Sequence, residues 1–108
     1  MNTVVSKSDW KLFREKIGQW QEDYMERLNK KYIKLLSSDE PVSVKFWKLD
    51  ERIRKDKRKP GVQMDLEKSE VPWDLARLVK DKVITIEDLS DFSEDMQEWV
   101  NYLLSMRN

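Results

Sequence analysis

Residues 10–24 read WKLFREKIGQWQEDY, and their large apolar side chains recur at alternating intervals of three and four. The recurring positions are Trp10, Phe13, Ile17, Trp20 and Tyr24. Because an α-helix turns once every 3.6 residues, this spacing places all five side chains on one helical face. Ser6 or Ser8 can cap the first turn, so the pattern predicts a helix from there to about Leu36.

The apolar face of this first helix broadens after its midpoint. The broad part consists of Tyr24, Met25, Leu28, Tyr32 and Leu35. A helix of about 28 residues is roughly 42 Å long at 1.5 Å per residue, whereas a compact domain of this size has a radius of gyration near 13 Å. We therefore expect the first helix to be the spine of the fold, and we predict that its broad face is a homodimer contact.

Three further helices and one short helix are predicted downstream. A second helix, residues 41–59, carries an apolar stripe and is ended by Pro60 and Gly61. The stripe consists of Val42, Phe46, Leu49 and Ile53 and is expected to be buried. Ser69 is expected to cap a third helix that ends near Lys82. Ser93 is expected to cap the last helix. Between them, Thr85 and Asp88 have the spacing of a capping box, which predicts a short helical turn.

Composition agrees with a small helical protein. The 108 residues include 39% charged and 39% hydrophobic side chains, five Trp, two Gly and no Cys. Aromatic residues supply the apolar surface that a folded core needs, and the scarcity of Gly favours helices. The sequence thus predicts one all-α domain spanning residues 1–108, a small bundle of four main helices plus one short helix. Without an apolar run of signal-peptide or membrane-span length, we expect a soluble cytoplasmic protein that does not contact membranes.

Residue types restrict the chemistry that is possible. The absence of His and Cys excludes zinc sites and the common catalytic triads, and two glycines do not form a phosphate-binding loop. Acidic residues crowd positions 87–98, but their spacing differs from a calcium-binding loop and suits helix caps and solvated faces. We therefore predict no catalytic residue, no metal and no cofactor. A carboxylate-dependent enzyme would instead require a buried carboxyl group with a raised pKa.

Charge is divided between the two parts of the chain. Residues 1–60 carry 16 Lys and Arg against 10 Asp and Glu, a net charge of +6, and residues 61–108 carry 5 against 11, a net charge of −6. Such asymmetry marks an anion-binding half, or it means that the halves face each other in the fold. The second interpretation is the simpler one, and we expect it.

The predicted second helix carries the densest basic cluster. Lys48, Arg52, Lys55 and Lys59 recur at intervals of four, three and four, and therefore share one helical face, with Trp47 nearby. Such a face can be a solvated surface, bind a protein, or neutralise the phosphates of a nucleic acid. Most of the five tryptophans are expected in the core, with Trp47 and Trp10 as candidates for exposed anchors. Trp47 and the four basic residues form the candidate interaction surface.

Three segments resemble those of small uncharacterised α-helical cytoplasmic proteins of Gram-positive bacteria. They are WQEDYM at 20–25, KPGV at 59–62, and VITIEDL at 83–89 with DFS at 91–93. The resemblance covers most of the chain, implies the same all-α class, and assigns no activity and no functional residue. The sequence therefore favours a noncatalytic protein–protein interaction or accessory protein, with a protein partner that can be a second copy. A nucleic-acid-associated accessory protein using the basic second helix is the alternative.

Overall fold

The computed structural model describes residues 4–106 and contains four α-helices. They are α1 (Lys7–Leu36), α2 (Val42–Asp56), α3 (Val71–Lys80) and α4 (Glu94–Ser105). Two short 3₁₀-helices accompany them: Lys68–Glu70 leads into α3, and Ile86–Leu89 lies between α3 and α4. Within residues 4–106 there is no β-strand, and no helix is both long and apolar enough to cross a membrane. The predicted all-α bundle with a long N-terminal helix is confirmed.

Local hydrogen bonds explain where three of the helices begin. The Ser6 hydroxyl accepts from the backbone N–H of Asp9 (3.1 Å), and the Ser93 hydroxyl accepts from that of Met96 (3.1 Å). The backbone N–H of Thr85 donates to the Asp88 carboxylate (2.8 Å) before the second 3₁₀-helix. Each bond satisfies a backbone or side-chain group that the helix itself leaves free. These three predicted start sites are confirmed.

Two other predicted helix termini are wrong. Ser69 does not cap α3, because it lies inside the preceding 3₁₀-helix and α3 starts at Val71 without a side-chain cap. Helix α2 stops at Asp56 instead of Lys59, since residues 57–59 tighten into a turn. Helix α3 ends at Lys80, close to its predicted end near Lys82, and Lys82 adopts a left-handed φ of 60° that turns the chain away from the helix.

The core lies between α1, α3, α4 and the segment that joins α3 to α4. Its buried apolar side chains are Val5, Phe13, Ile17, Tyr24, Leu28, Val71, Leu75, Ala76, Leu78, Val83, Ile84, Leu89, Phe92, Met96, Trp99 and Val100. No member of this set belongs to α2. Helix α2 is therefore attached to the domain without contributing to its core.

The predicted buried stripe of α2 is wrong. No residue of this helix is buried, and Val42 and Phe46 are 81% and 62% exposed. Leu49 and Ile53 are half-buried, which is consistent with α2 packing mainly against α1. An amphipathic stripe is buried only when enough neighbouring surface is present to cover it, and here α3 and α4 pack at the other end of the molecule.

The molecule is elongated because α1 is longer than the core that packs on it. Its dimensions are 55 × 29 × 22 Å and its radius of gyration is 16.7 Å, compared with about 13 Å for a compact chain of this length. The 30 residues of α1 span about 45 Å. The last two turns of α1, together with α2 and the turn after it, form a helical hairpin at one end, called here the hairpin (residues 29–59).

Tryptophans are divided between the core and the surface. Trp99 is buried and meets the exposed Trp73 edge to face, with ring centroids 5.5 Å apart. Trp10 and Trp20 are half-buried, so Trp10 is not the exposed anchor that was expected. Trp47 is 64% exposed, and this prediction is confirmed.

Candidate functional site

The outer surface of α2 presents two aromatic rings to solvent. Phe46 and Trp47 are both exposed, and their rings meet edge to face with centroids 5.1 Å apart and an interplanar angle of 89°. Val42 and Val44 are exposed beside them on the first turns of α2. Aromatic residues are enriched at the centres of protein interfaces. Helical spacing correctly predicts that Trp47 is exposed, but it wrongly predicts that Phe46 is buried.

The basic residues predicted to accompany Trp47 are all exposed, but most are already paired. Lys48 contacts Glu40 (2.5 Å), Lys55 contacts Glu51 (3.2 Å) and Lys59 contacts Asp56 (3.2 Å), each within the hairpin. Arg52 forms no ion pair with any described residue. Because α2 ends before Lys59, helical spacing does not align that residue with the other three. The basic face is thus shorter and less charged than the sequence predicts.

One further lysine of this cluster has a structural role that its sequence position does not reveal. The Lys45 ammonium group donates hydrogen bonds to the backbone carbonyls of Leu36 (3.0 Å) and Ser38 (3.1 Å). These carbonyls lie at and just after the end of α1, where helix carbonyl groups lack partners and carry partial negative charge. Lys45 therefore fastens the start of α2 to the end of α1.

The predicted dimer face on α1 is not a free surface. Tyr24, Leu28 and Leu35 are buried within the same chain, and Met25 and Tyr32 are half-buried. The burial of these side chains contradicts the predicted dimer contact, because the chain folds its own connecting segments onto this broad apolar face.

Tyr24 shows how closely that face is covered. A Cβ atom added to Gly61 would lie 2.3 Å from the tyrosine ring, so the glycine backbone rests directly against it. The Arg27 guanidinium group lies 5.2 Å from the ring centroid and donates to the carbonyls of Lys82 and Val83 (3.0 Å each). These contacts leave no room for a second copy at Tyr24.

A small apolar cleft separates α1 from the end of α2. Its volume is about 270 Å³, and it is lined by Met25, Leu28, Asn29, Tyr32, Ile53, Asp56, Lys57 and Val62. Inside it the Tyr32 hydroxyl donates a short hydrogen bond to the Asp56 carboxylate. Burial and then this bond raise the pKa of Tyr32 above its ordinary range, and the Asp56 carboxylate likewise raises the pKa of Lys59. The Tyr32–Asp56–Lys59 contacts secure the base of the hairpin.

A second, polar cavity lies beside the start of α3. Its volume is about 620 Å³, and it is lined by Gln63, Met64, Asp65, Glu67, Glu70, Asp74 and Arg77. Asp74 is only 4% exposed: one carboxylate oxygen accepts from Arg77 (3.3 Å) and the other has no hydrogen-bond partner. Burial, opposed by Arg77 and reinforced by Glu70 and Glu67, raises the pKa of Asp74 to about 6.

Asp74 is the buried carboxyl group that a carboxylate-dependent enzyme would require. Its surroundings restrict what it can do chemically. The seven side chains around the cavity include no hydroxyl, amine or thiol nucleophile. Across residues 4–106, no three Asp or Glu side chains are placed to hold a metal ion together. The carboxylates of Asp65, Glu67 and Glu70 and the Arg77 guanidinium group share the cavity with Asp74, so its chemistry is restricted to carboxylate acid–base groups.

The other buried carboxylate, Asp9, connects two helix starts. It accepts from the backbone N–H of Ser93 (3.0 Å) and from the Ser93 hydroxyl (2.6 Å). That same hydroxyl caps α4. Asp9 thereby joins the first turn of α1 to the first turn of α4, and its oxygens are occupied by these structural bonds.

The basic and acidic parts of the chain face each other across the core, because α1 packs against α3 and α4. Among the ion pairs of residues 4–106, only Lys16–Asp91 (3.3 Å) connects residues 1–60 to the rest of the chain. Most of the remaining pairs are contacts between residues three or four apart in one helix. The two halves therefore meet as expected, but through apolar side chains more than through ion pairs.

Comparison of this chain with protein-family models, curated proteins and solved structures finds no match.

Proposed function

We propose that this chain is a noncatalytic protein–protein interaction or accessory protein that binds its partner through the outer face of α2. One observation carries the proposal: a 15-residue helix without any buried residue presents Phe46 and Trp47 to solvent. A helix that stabilises no core, yet keeps large aromatic side chains, is explained by a partner that covers them.

The exposed rings are large enough to anchor a partner. An aromatic side chain presents roughly 150–250 Å² in total, so two rings about three-fifths exposed leave on the order of 250 Å² in water. Burying that area contributes about 6 kcal/mol before the entropic cost of association is subtracted. Because Lys45 and Tyr32 already hold α2 on α1, little further ordering is needed when a partner binds.

Site-specific photo-crosslinking in the native cell tests this function. A photoreactive phenylalanine replaces Trp47 in one variant and Glu22 in a control, because Glu22 is also exposed but lies on α1 outside the hairpin. We expect a protease-sensitive adduct from position 47 and none from position 22. Equal adducts from both positions, or none from position 47, would overturn the proposal.

Nucleic acid is the second candidate, and one observation favours it. Trp47 is exposed on the same helix as Arg52, which forms no ion pair with any described residue, and an aromatic ring can stack on a base while a cation of the same element contacts phosphate. The carboxylates that pair with Lys48 and Lys55 weaken this alternative. It requires low-salt binding to single-stranded RNA or DNA that is lost when Lys48, Arg52 and Lys55 are changed to Glu. A nuclease-sensitive adduct at position 47 would favour it over a protein partner.

The noncatalytic part of the proposal is supported by the cavity beside α3. The side chains that share the cavity with the buried Asp74 include no hydroxyl, amine or thiol group, and the other buried carboxylate, Asp9, is held by Ser93. A cytoplasmic location belongs to the same proposal, since an interaction protein without Cys needs no oxidising compartment to form disulfides.

A further inference from the structure

Six acidic side chains form a second charged surface, far from the hairpin. Residues 83–106 contain no Lys or Arg. Their acidic residues, all of them exposed, are Glu87, Asp88, Asp91, Glu94, Asp95 and Glu98. We call residues 87–98 the acidic segment. It has the opposite sign to residues 45–59, which hold eight Lys and Arg against three Asp and Glu.

The two surfaces lie at opposite ends of α1. Ser93, within the acidic segment, bonds to Asp9 in the first turn of α1, whereas Lys45 of α2 bonds to the carbonyl of Leu36 in its last turn. The 27 residues between Asp9 and Leu36 span about 40 Å of helix. Exposed charges so far apart are screened from each other, since the Debye length is about 8–10 Å in ordinary buffers. Neither surface can neutralise the other within one chain.

Both surfaces combine charge with exposed apolar groups. On α4, Asp95, Glu98 and Tyr102 recur at intervals of three and four, so they share one exposed helical face. On α2, Lys48, which also contacts Glu40, shares a face with Arg52 in the same way, and the exposed Trp47 precedes Lys48 in the sequence. The acidic face of α4, which ends in the ring of Tyr102, can thus meet the basic face of α2, which adjoins Trp47. Since the net charge of the chain is zero, no overall repulsion separates two copies.

We propose that the partner of α2 is the acidic face of α4 in a second copy of this chain, so that copies associate head to tail. The inference rests on the proposed function and names its partner. Because the two contact surfaces differ, each added copy leaves one basic and one acidic end free, and the assembly grows as a chain. One face of a helix about 22 Å long is small beside the roughly 800 Å² per partner of a stable interface. The association is therefore weak and sensitive to salt.

Charge reversal on each surface tests the pairing. One variant carries Lys48→Glu with Arg52→Glu, and the other carries Asp95→Lys with Glu98→Lys. All four side chains are exposed, so both variants keep the helical circular dichroism of the original. A control matched to the α4 variant carries Glu22→Lys with Glu26→Lys, which makes the same positive charge change on an exposed part of α1.

Sedimentation equilibrium measures the outcome. In about 20 mM salt the original chain and the control should increase in average mass with concentration, and about 500 mM salt should return both to monomer. Each α2 or α4 variant alone should remain monomeric, while their equimolar mixture should associate, because each reversed surface then finds its complement. A monomeric original chain at low salt, or a mixture that fails to associate, overturns this inference.

The two proposals fail separately. If the crosslinker at position 47 captures a different protein while the chain stays monomeric at low salt, self-association is wrong and the interaction function stands. If position 47 captures no protein at all, both proposals are wrong.

Discussion

Replacing Asp74 with Asn tests whether the buried Asp74 carboxylate lowers the free energy of unfolding at neutral pH. One Asp74 oxygen has no hydrogen-bond partner, and the side chain is almost fully buried. Burial raises the pKa of this carboxyl from an ordinary 3.8 to about 6. The folded state therefore binds the proton more tightly than the unfolded chain does, so this group contributes stability that is fully present below pH 3.8. That contribution is lost as the pH rises through 6.

The size of the effect follows from the same values. A pKa difference of one corresponds to about 1.4 kcal/mol, so the change from 3.8 to about 6 amounts to roughly 3 kcal/mol between pH 4 and pH 7. Solvent screening does not reduce it much, because the Asp74 side chain is only 5% exposed. Asn has no charge to bury, so Asp74→Asn should unfold with a free energy up to about 3 kcal/mol higher at pH 7.5 and similar at pH 4.

Urea denaturation followed by tryptophan fluorescence at both pH values measures this difference. Asp39→Asn is the matched control, because Asp39 is exposed in the link between α1 and α2 and its change should alter stability by less than about 0.5 kcal/mol at either pH. If Asp74→Asn has the same effect at pH 4 and pH 7.5, or lowers stability at pH 7.5, the reasoning about the buried carboxylate is refuted.

Four further substitutions test packing, backbone conformation and helix capping. Gly61→Ala should destabilise the protein by about 1–3 kcal/mol, because the added Cβ overlaps the Tyr24 ring. Gly18→Ala, whose Cβ would have nothing within 4 Å, should stabilise it by up to about 1 kcal/mol. Equal shifts in melting temperature for the two variants would contradict the packing argument. Lys82→Gly should raise the melting temperature by relieving a left-handed φ of 60°, a gain of about 1 kcal/mol, and a lower melting temperature would count against it. Ser93→Ala should cost about 1–2 kcal/mol in urea, since the hydroxyl both caps α4 and donates to a buried carboxylate; an unchanged midpoint would exclude that role.

The binding surface could be anticipated only in part. Trp47 was correctly predicted to be exposed, because it lies off the apolar stripe of α2. Phe46 was wrongly predicted to be buried, because spacing shows which residues share a face but not whether anything covers that face. The prediction for Tyr24 was wrong in the opposite sense, because this residue was expected at a contact with a second copy. Its face is apolar enough for a partner, but Gly61 and Arg27 of the same chain cover it.

The local structure of this protein follows directly from neighbouring residues in its sequence. Alternating intervals of three and four make α1 a helix, and hydroxyl groups at Ser6 and Ser93 start α1 and α4, because these effects act within one or two turns of chain. Tertiary structure alone decided which faces meet. The core formed at one end of a helix about 45 Å long, which left α2 uncovered and held the basic hairpin apart from the acidic segment. Burial and charge pairing depend on contacts between residues that are distant in the sequence, and the local spacing of residues does not reveal those contacts.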